Sequence, residues 1–171
     1  ERVLAKFRNG SCNILVCTDL ASRGLDIPEI RHVIHYHLPA NEQAYIHRNG
    51  RTARMHASGD AYLILSAEET VPAYIKNDFT TIPLADTRIL PPKPQWATVY
   101  IGKGKKDKLN KVDIVGFLMQ KGNLKKEEIG LIDVKDFFSY VAVKRTKISE
   151  LLRSVRNEKI KNMKAAIEEC D

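Results

Sequence analysis

The sequence has little cysteine, few aromatic residues and no long apolar run. Its three cysteines, Cys12, Cys17 and Cys170, are odd in number and lack CxxC spacing, so neither a disulfide framework nor a metal site is expected. They fit the reduced thiols of a cytoplasmic protein. No run of about 18 apolar residues occurs and no signal-peptide pattern is visible, so we expect no transmembrane helix and no membrane partner.

The net charge of +7 is concentrated in the second half of the 171 residues. Residues 1–95 carry 11 Lys+Arg against 10 Asp+Glu, whereas residues 96–171 carry 17 against 11. The first part is rich in arginine, which suits bidentate contacts to phosphate, and the second in lysine, which supplies a diffuse positive field. The basic second half favours an anionic partner such as nucleic acid; solubility alone is the alternative explanation.

Residues 1–80 alternate between helix-like and strand-like segments. Apolar residues at helical spacing open the chain and stop at Gly10. Asn41 and Ser66 precede further helical segments as candidate N-caps. Short apolar runs between them have the pattern of buried strands. The predicted strands are 12–19, 32–39 and 59–66, and the predicted helices are 41–55 and 66–79. Such alternation predicts a parallel α/β sheet.

Residues 81–95 contain four prolines and no helical periodicity, so they are interpreted as an extended linker. The remaining residues, 96–171, give a second pattern in the order strand–helix–strand–strand–helix–strand. The predicted strands are 96–102, 128–134, 137–145 and 162–170, with helices at 111–122 and 148–156 and a tight turn at Lys135-Asp136. This order predicts an α+β domain of the ferredoxin-like topology that RNA recognition motifs use.

Residues 47–54, HRNGRTAR, concentrate positive charge in one short stretch. Arg51 and Arg54 are three residues apart, so on a helix they share one face and could hold a phosphoryl group together. The nearest acidic residue, Glu42, is too far back to neutralise them. A solvated cationic helix face is the alternative interpretation.

Residues 18–27, TDLASRGLDI, follow the first predicted strand. In open α/β sheets, ligands bind beyond the carboxyl ends of the strands. Thr18 offers a hydroxyl there, Gly24 permits close approach of a backbone, and Asp19 and Asp26 offer acceptor oxygens. An ordinary turn that uses aspartate and glycine for its backbone geometry explains the same residues.

The two stretches together carry a family resemblance. ILVCTDLASRGLDIP, followed about twenty residues later by AYIHRNGRTAR, resembles motifs V and VI of DEAD-box RNA helicases. The resemblance covers roughly residues 1–80 and implies the C-terminal part of the second RecA-like domain of an ATP-dependent RNA helicase. It implies that Arg51 and Arg54 reach the γ-phosphate of ATP, with Arg54 as the arginine finger.

The same resemblance implies roles for the neighbouring residues. Gly24 and Asp26 are expected near ATP, with Asp26 at the ribose. Thr18, Arg23 and Gly24 are expected at the RNA backbone. Finally, the resemblance implies an interdomain or network role for three residues, namely Asp19, His47 and Arg48.

The sequence also departs from the family pattern. Asn49 stands where isoleucine is usual, and Ala53 stands where glycine is usual. No GxxxxGK[ST] loop, DEAD box or Ser-Ala-Thr motif occurs among the 171 residues. We therefore expect a piece of a longer protein, in which ATP and Mg²⁺ are held mainly by another RecA-like domain, and expect the piece alone to be inactive.

A second resemblance covers residues 96–171. VYIGKGKKDKLNKVDIVGFL, EIGLIDVKDFFSYVAV and KIK resemble the RNA-binding domain of DbpA-type DEAD-box proteins. It implies a module that tethers a helicase to structured RNA, with ribosomal RNA and assembly of the large ribosomal subunit as the target process. The sequence sets no oligomeric state.

Lysines and aromatic residues of this second part are suited to RNA. Lysines beside glycines after the first strand can contact phosphates, and aromatic side chains on the central strands can stack on bases. Period-two alternation predicts that Phe138 and Tyr140 lie on one face of the sheet. The RNP1 sequence is missing, so core packing explains Phe138 equally well, and Lys144, Arg145 and Lys147 could equally be a solvated strand end. The predicted RNA contacts are Tyr100, Lys103, Lys105, Lys106, Tyr140 and Arg145.

Two other functions compete with an RNA helicase. A non-catalytic RNA-binding protein with a degenerate helicase lobe would also lack the nucleotide-binding motifs. A DNA helicase would account for the basic charge but not for the second module. The residues that precede Glu1 in the parent protein discriminate the first alternative, because a helicase would carry the phosphate-binding lysine and the DEAD box there.

Overall fold

The computed structural model describes residues 1–19, 30–50, 59–76, 79–84, 86 and 90–170. Within these residues the chain divides into two units: a larger unit, residues 1–15 with 90–171, and a smaller unit, residues 16–89. The helices are α1 (Arg2–Arg8), α2 (Glu42–Asn49), α3 (Lys111–Gln120) and α4 (Ile148–Ser154). The strands are β1 (His32–His35), β2 (Asp60–Leu63), β3 (Trp96–Ile101), β4 (Ile129–Val134), β5 (Ser139–Lys144) and β6 (Ile167–Glu169).

The smaller unit holds a parallel pair of strands connected through α2. β1 and β2 run in register from His32 opposite Asp60 to His35 opposite Leu63, which confirms the predicted parallel pairing. The Asn41 side chain accepts a hydrogen bond from the Ala44 amide at 2.9 Å, which confirms the predicted N-cap. The helix ends at Asn49 with Gly50 as its C-cap; residues 51–55 of the predicted helix lie outside the described residues.

Two predicted elements of the first 80 residues are wrong. Residues 12–19 form no strand, and Ile14 and Val16 are exposed. A strand needs a partner for its backbone groups, and no described strand pairs with this segment. Residues 66–76 form turns instead of a helix. Glu69 caps the Ser66 amide at 2.8 Å as a helix start would, but Pro72 lacks the amide that a continuing helix requires.

The larger unit contains a four-stranded antiparallel sheet in the order β4-β5-β3-β6. Its elements follow the predicted order along the chain. α3 begins with a reciprocal cap, because Asn110 accepts from the Asp113 amide and Asp113 accepts from the Asn110 amide. Fully buried side chains of the helices and strands form one core, including Val99, Ile114, Leu118, Val141 and Leu151.

The last strand is shorter than predicted. β6 covers only Ile167–Glu169 of the predicted strand 162–170. Lys161 and Asn162 both have positive φ, 50° and 63°, in a two-residue turn in which Ile160 and Met163 exchange backbone hydrogen bonds. A turn of this kind reverses the chain, so the strand cannot begin before it.

The other face of the sheet is covered by α1 and the residues that follow it. Ala5 packs on Tyr140 and Cys170. Beyond the helix, Asn9 donates to the Thr98 hydroxyl at 3.3 Å, and the Ser11 hydroxyl lies 2.6 Å from the same oxygen. Thr98 is thereby satisfied although it is buried, so the segment 1–12 closes the middle of this face.

Candidate functional site

Arg48 is the centre of a polar network in the smaller unit. Its Nε and Nη2 atoms donate to both carboxylate oxygens of Asp19, at 2.6 and 2.8 Å. Its Nη1 atom donates to the His37 carbonyl oxygen at 2.9 Å and lies 3.5 Å from His35 Nδ1. These hydrogen bonds, which Asp19 accepts, raise the pKa of the Arg48 guanidinium. This bidentate pair joins Asp19 to the last turn of α2.

Asn49 and His35 complete the network, and neither was predicted to be part of a site. His35 is 1% exposed, and its Nε2 atom lies 2.8 Å from Asn49 Oδ1. The tautomer with hydrogen on Nε2 donates to Asn49 and leaves Nδ1 as an acceptor towards Arg48. Asn49, the departure from the family pattern, therefore has a buried partner. The signal in the sequence was the coincidence of that departure with a histidine on the adjacent strand.

Burial lowers the pKa of His35, and the Arg48 charge lowers it further, against the opposing effects of Asn49 and Asp19. A lowered folded pKa means that the unfolded chain binds more protons as pH falls below the ordinary histidine pKa of about 6.5. Stability of the smaller unit should therefore be complete above that pH and decrease as pH falls towards the folded value. Urea unfolding at a series of pH values, followed by NMR signals of residues 32–35 and 60–63, measures this decrease.

Substitution at His35 provides the comparison for that measurement. His35→Gln should abolish most of the acid sensitivity between about pH 6.5 and the folded pKa, because glutamine does not titrate. His37→Gln, at an exposed position of the same unit, should leave it intact. Equal acid sensitivity in the His35 variant and the original protein would show that another group is responsible.

Two other predicted site residues in the smaller unit lie at the surface. Thr18 and His47 are exposed. Arg23, Gly24, Asp26, Arg51 and Arg54 lie outside the described residues.

The loop after β3 is fixed to the turn between β4 and β5. The amides of Lys105 and Lys106 donate to the carbonyl oxygens of Lys135 and Asp136, each at 2.8 Å. Gly104 lies between these backbones, and a Cβ atom there would overlap the Lys135 carbonyl oxygen. The two segments therefore form one rigid end of the sheet, which we call the loop–turn end (residues 103–111 and 135–138).

The lysines of the loop–turn end differ in their availability. Lys103 is paired with Asp107 at 2.8 Å, which lowers the Asp107 pKa, and Lys135 is paired with Asp133 at 2.9 Å. Lys105 and Lys106 are exposed, and in the described parts of the chain neither has an ion-pair partner. These two side chains can bind an anion without first breaking an ion pair.

The turn at residues 160–163 adds a further cation to this end. The ammonium of Lys161 donates to the Lys108 carbonyl oxygen at 2.8 Å and to the Asp113 carboxylate at 3.0 Å. The hydrogen bond from Lys161 lowers the Asp113 pKa. Lys161 thus fastens the turn to the start of α3. This contact was not predictable from local sequence, because the residues are 48 and 53 positions apart.

Arg145 is engaged by backbone groups. Its Nε donates to the Pro94 carbonyl oxygen and its Nη2 to the Trp96 carbonyl oxygen, both at 2.8 Å. Glu169 lies 3.5 Å from its Nη1. Arg145 therefore holds the entry to β3 against β6, and RNA would have to compete with these bonds for its guanidinium.

The predicted aromatic residues form one cluster on the outer face of the sheet. Tyr100, Phe138 and Tyr140 have ring centroids 5.3 to 5.9 Å apart, which confirms that Phe138 and Tyr140 share a face. Tyr140, however, is 5% exposed beneath α1, and burial raises the pKa of its hydroxyl. In this arrangement its ring has no free face for a base.

Two parts of the chain match known protein families. Residues 1–56 match the helicase conserved C-terminal domain, and residues 98–169 match the DbpA RNA binding domain. The ATP-dependent RNA helicase DbpA of Escherichia coli (strain K12) is 35% identical over 167 residues, covering 94% of this chain and 36% of the relative. DbpA of Bacillus subtilis (strain 168) is 27% identical, covering 99% of this chain and 41% of the relative.

A third relative is similar only to part of the chain. The ATP-dependent RNA helicase mak-5 of Neurospora crassa is 54% identical over 68 residues, which cover 40% of this chain and 8% of the relative. The two family matches lie in the order that the sequence motifs predict. The chain belongs to the DEAD-box RNA helicases. Within them it is of the DbpA type, with the helicase C-terminal region followed by the DbpA RNA-binding domain.

The chain spans well under half the length of its two DbpA relatives. Among the described residues, no helix is long and apolar enough to cross a membrane. Nor do the described residues include a group of three or more His, Cys, Asp or Glu side chains placed to hold a metal ion.

Proposed function

We propose that the full-length protein is an ATP-dependent RNA helicase that remodels structured RNA in the cytoplasm. The support is the pair of family matches together with relatives named as ATP-dependent RNA helicases. ATP and Mg²⁺ would be held mainly by another RecA-like domain. Arg51 and Arg54 would meet the γ-phosphate, and Gly24 and Asp26 would contact ATP.

Within this function, the larger unit is the RNA tether. Its sheet order and its two helices on one face support an RRM-like, ferredoxin-type topology. The observation that carries the tether is the loop–turn end, where Lys105 and Lys106 are exposed on a backbone fixed by two hydrogen bonds of 2.8 Å. We further propose ribosomal RNA of the large subunit as the target, on the resemblance to the DbpA type.

The predicted RNA contacts have unequal support in this proposal. Lys105 and Lys106 are available for phosphates, whereas Lys103 and Arg145 are engaged in other bonds. Tyr100 is half-buried and could contribute a ring edge. Tyr140 would take part only if α1 left the sheet. Thr18 and Arg23 would contact RNA on the helicase region.

The Lys105→Ala/Lys106→Ala variant tests the tether. Each lysine–phosphate contact that is lost should reduce the magnitude of the negative slope of log K against log salt by about 0.7 to 0.9. Loss of two contacts should therefore weaken RNA affinity roughly ten- to thirty-fold near physiological salt. Fluorescence anisotropy with a labelled RNA stem-loop, titrated at several salt concentrations, measures the slope and the affinity of the 171-residue chain.

The matched control is Lys125→Ala/Lys126→Ala. These adjacent lysines are also exposed and lie in another short turn, before β4, at the opposite end of that strand from residues 135–138. The control removes the same charge from a different place. If RNA binds at the loop–turn end, the control should change the salt slope much less. Equal losses in the two variants would mean that the positive field of the whole unit, and no particular site, attracts the RNA.

A further inference from the structure

The turn between β4 and β5 exposes an aromatic side chain that the RNA-binding proposal does not yet use. Phe137 is 68% exposed at the tip of the turn formed by residues 135–138. The turn is closed by the Lys135 amide, which donates to the Phe138 carbonyl oxygen at 2.8 Å. An exposed aromatic ring on a turn next to exposed lysines is available to a ligand that carries both a flat ring and negative charge, as a nucleotide does.

The backbone holds this phenylalanine beside the available lysines. The Lys106 amide bonds the Asp136 carbonyl oxygen, so the residue next to Phe137 is fixed to the loop. The Ser139 hydroxyl donates to the Lys103 carbonyl oxygen at 2.8 Å on the other side of the turn. Contacts on both sides limit movement of the backbone that carries the ring, so binding a base costs less of the turn's conformational freedom.

The charges around the ring fit a nucleic-acid strand. Lys105, Lys106 and Lys108 are exposed, while Asp107 and Asp133 are neutralised by lysine partners. Asp136 is the exposed carboxylate of the turn and would repel phosphate on its own side. The backbone of a bound strand should therefore follow the lysine loop, and its base should lie over Phe137.

We propose that Phe137 is a base-stacking residue for an unpaired nucleotide of RNA whose phosphates bind Lys105 and Lys106. The inference rests on the RNA-binding function proposed above and locates the stacking surface at the loop–turn end. The outer face of the sheet is a poorer surface for this purpose, because α1 covers Tyr140. Aromatic stacking is tolerant of base identity, so this contact selects unpaired bases without selecting a sequence.

The test compares two RNAs and three variants of the 171-residue chain. One RNA is a stem closed by an unpaired loop, and the other is the same stem as a blunt duplex. Phe137→Ala should bind the stem-loop roughly five- to a hundred-fold more weakly, as loss of one stacked base predicts, and bind the duplex unchanged. Phe137→Tyr keeps a stacking ring and should restore stem-loop affinity. Leu131→Ala, which truncates another exposed apolar side chain, should bind both RNAs like the original chain.

The salt dependence separates this proposal from the one on which it rests. Loss of Phe137 should lower affinity at every salt concentration without changing the salt slope, because stacking releases no counterions. Unchanged stem-loop binding by Phe137→Ala, or equal weakening by Phe137→Ala and Phe137→Tyr, would overturn the stacking role. Failure of the original chain to bind either RNA would instead overturn the tether.

Discussion

Replacement of Arg54 by alanine should lower RNA-stimulated ATP hydrolysis by the full-length protein about 10³- to 10⁵-fold, the range found for arginine fingers in phosphoryl transfer. The physical reason is that charge develops on the γ-phosphate oxygens in the transition state, and a guanidinium stabilises it most when water is excluded. Steady-state phosphate release at saturating RNA measures the effect. RNA affinity of the larger unit should not change, because Lys105 and Lys106 are untouched.

The control for this prediction is Arg31→Ala, which removes an exposed arginine from the same region of the chain. It should leave hydrolysis close to that of the original protein. Equal turnover of Arg54→Ala and the original protein would overturn the assignment of Arg54 as the arginine finger. An original full-length protein without RNA-stimulated hydrolysis would favour the alternative of a non-catalytic RNA-binding protein.

Replacement of Gly104 by alanine should weaken RNA binding more than loss of either the lysine pair or Phe137 alone. A Cβ atom at this position would overlap the Lys135 carbonyl oxygen and lie 2.7 Å from the carbonyl carbon and oxygen of Asp136. These are backbone atoms, which cannot rotate away, so the loop must separate from the turn. The separation breaks the two hydrogen bonds that hold the lysines next to Phe137, and both contributions to binding decrease together.

The strain in Gly104→Ala should also lower the free energy of unfolding of the larger unit. Overpacking of this kind costs about 1 to 3 kcal/mol. Gly116→Ala is the matched control, because a Cβ atom there meets nothing within 4 Å and alanine favours a helix interior over glycine by about 1 kcal/mol. It should stabilise the larger unit and leave RNA affinity intact. Gly104→Ala binding RNA as tightly as Gly116→Ala would show that the loop and turn need not be joined.

The type and order of the elements in the larger unit were predictable because their signals are local, although the bounds of β5 and β6 were not. Asn110 and Asp113 mark the start of α3, and Ile148 and Leu151 mark the buried face of α4. The smaller unit was less predictable. Residues 12–19 have a strand composition, but composition does not supply a pairing partner. Ser66 and Glu69 form a helix start that Pro72 does not allow to continue.

For the candidate sites, the sequence could indicate which charged residues take part, because this depends on residue type and motif. The ion pair of Arg48 with Asp19 joins two residues that the family motifs had marked. Packing over long sequence distances was not predictable. Nothing near Tyr140 in the sequence indicates that Ala5 covers it, and nothing near Arg145 indicates that Pro94 and Trp96 accept its hydrogen bonds.

Phe137 illustrates a different reason for error. The sequence pattern placed Phe137 in the strand 137–145. Period-two alternation then puts its side chain on the face of the sheet opposite to that of Phe138. The structure begins β5 at Ser139 and leaves Phe137 in the turn. A shift of two residues in a strand boundary is small for the fold, but it moves Phe137 out of the sheet into an exposed turn.

The most direct test of the account is the binding of the chain to a panel of RNA stem-loops, with large-subunit ribosomal fragments beside unrelated ones, across a range of salt. We expect a preferred ribosomal stem-loop whose advantage persists at high salt, because stacking and fixed contacts add to phosphate attraction. Equal affinity for every RNA, falling steeply and in parallel with salt, would contradict it, since the lysines would then supply only a non-specific positive field.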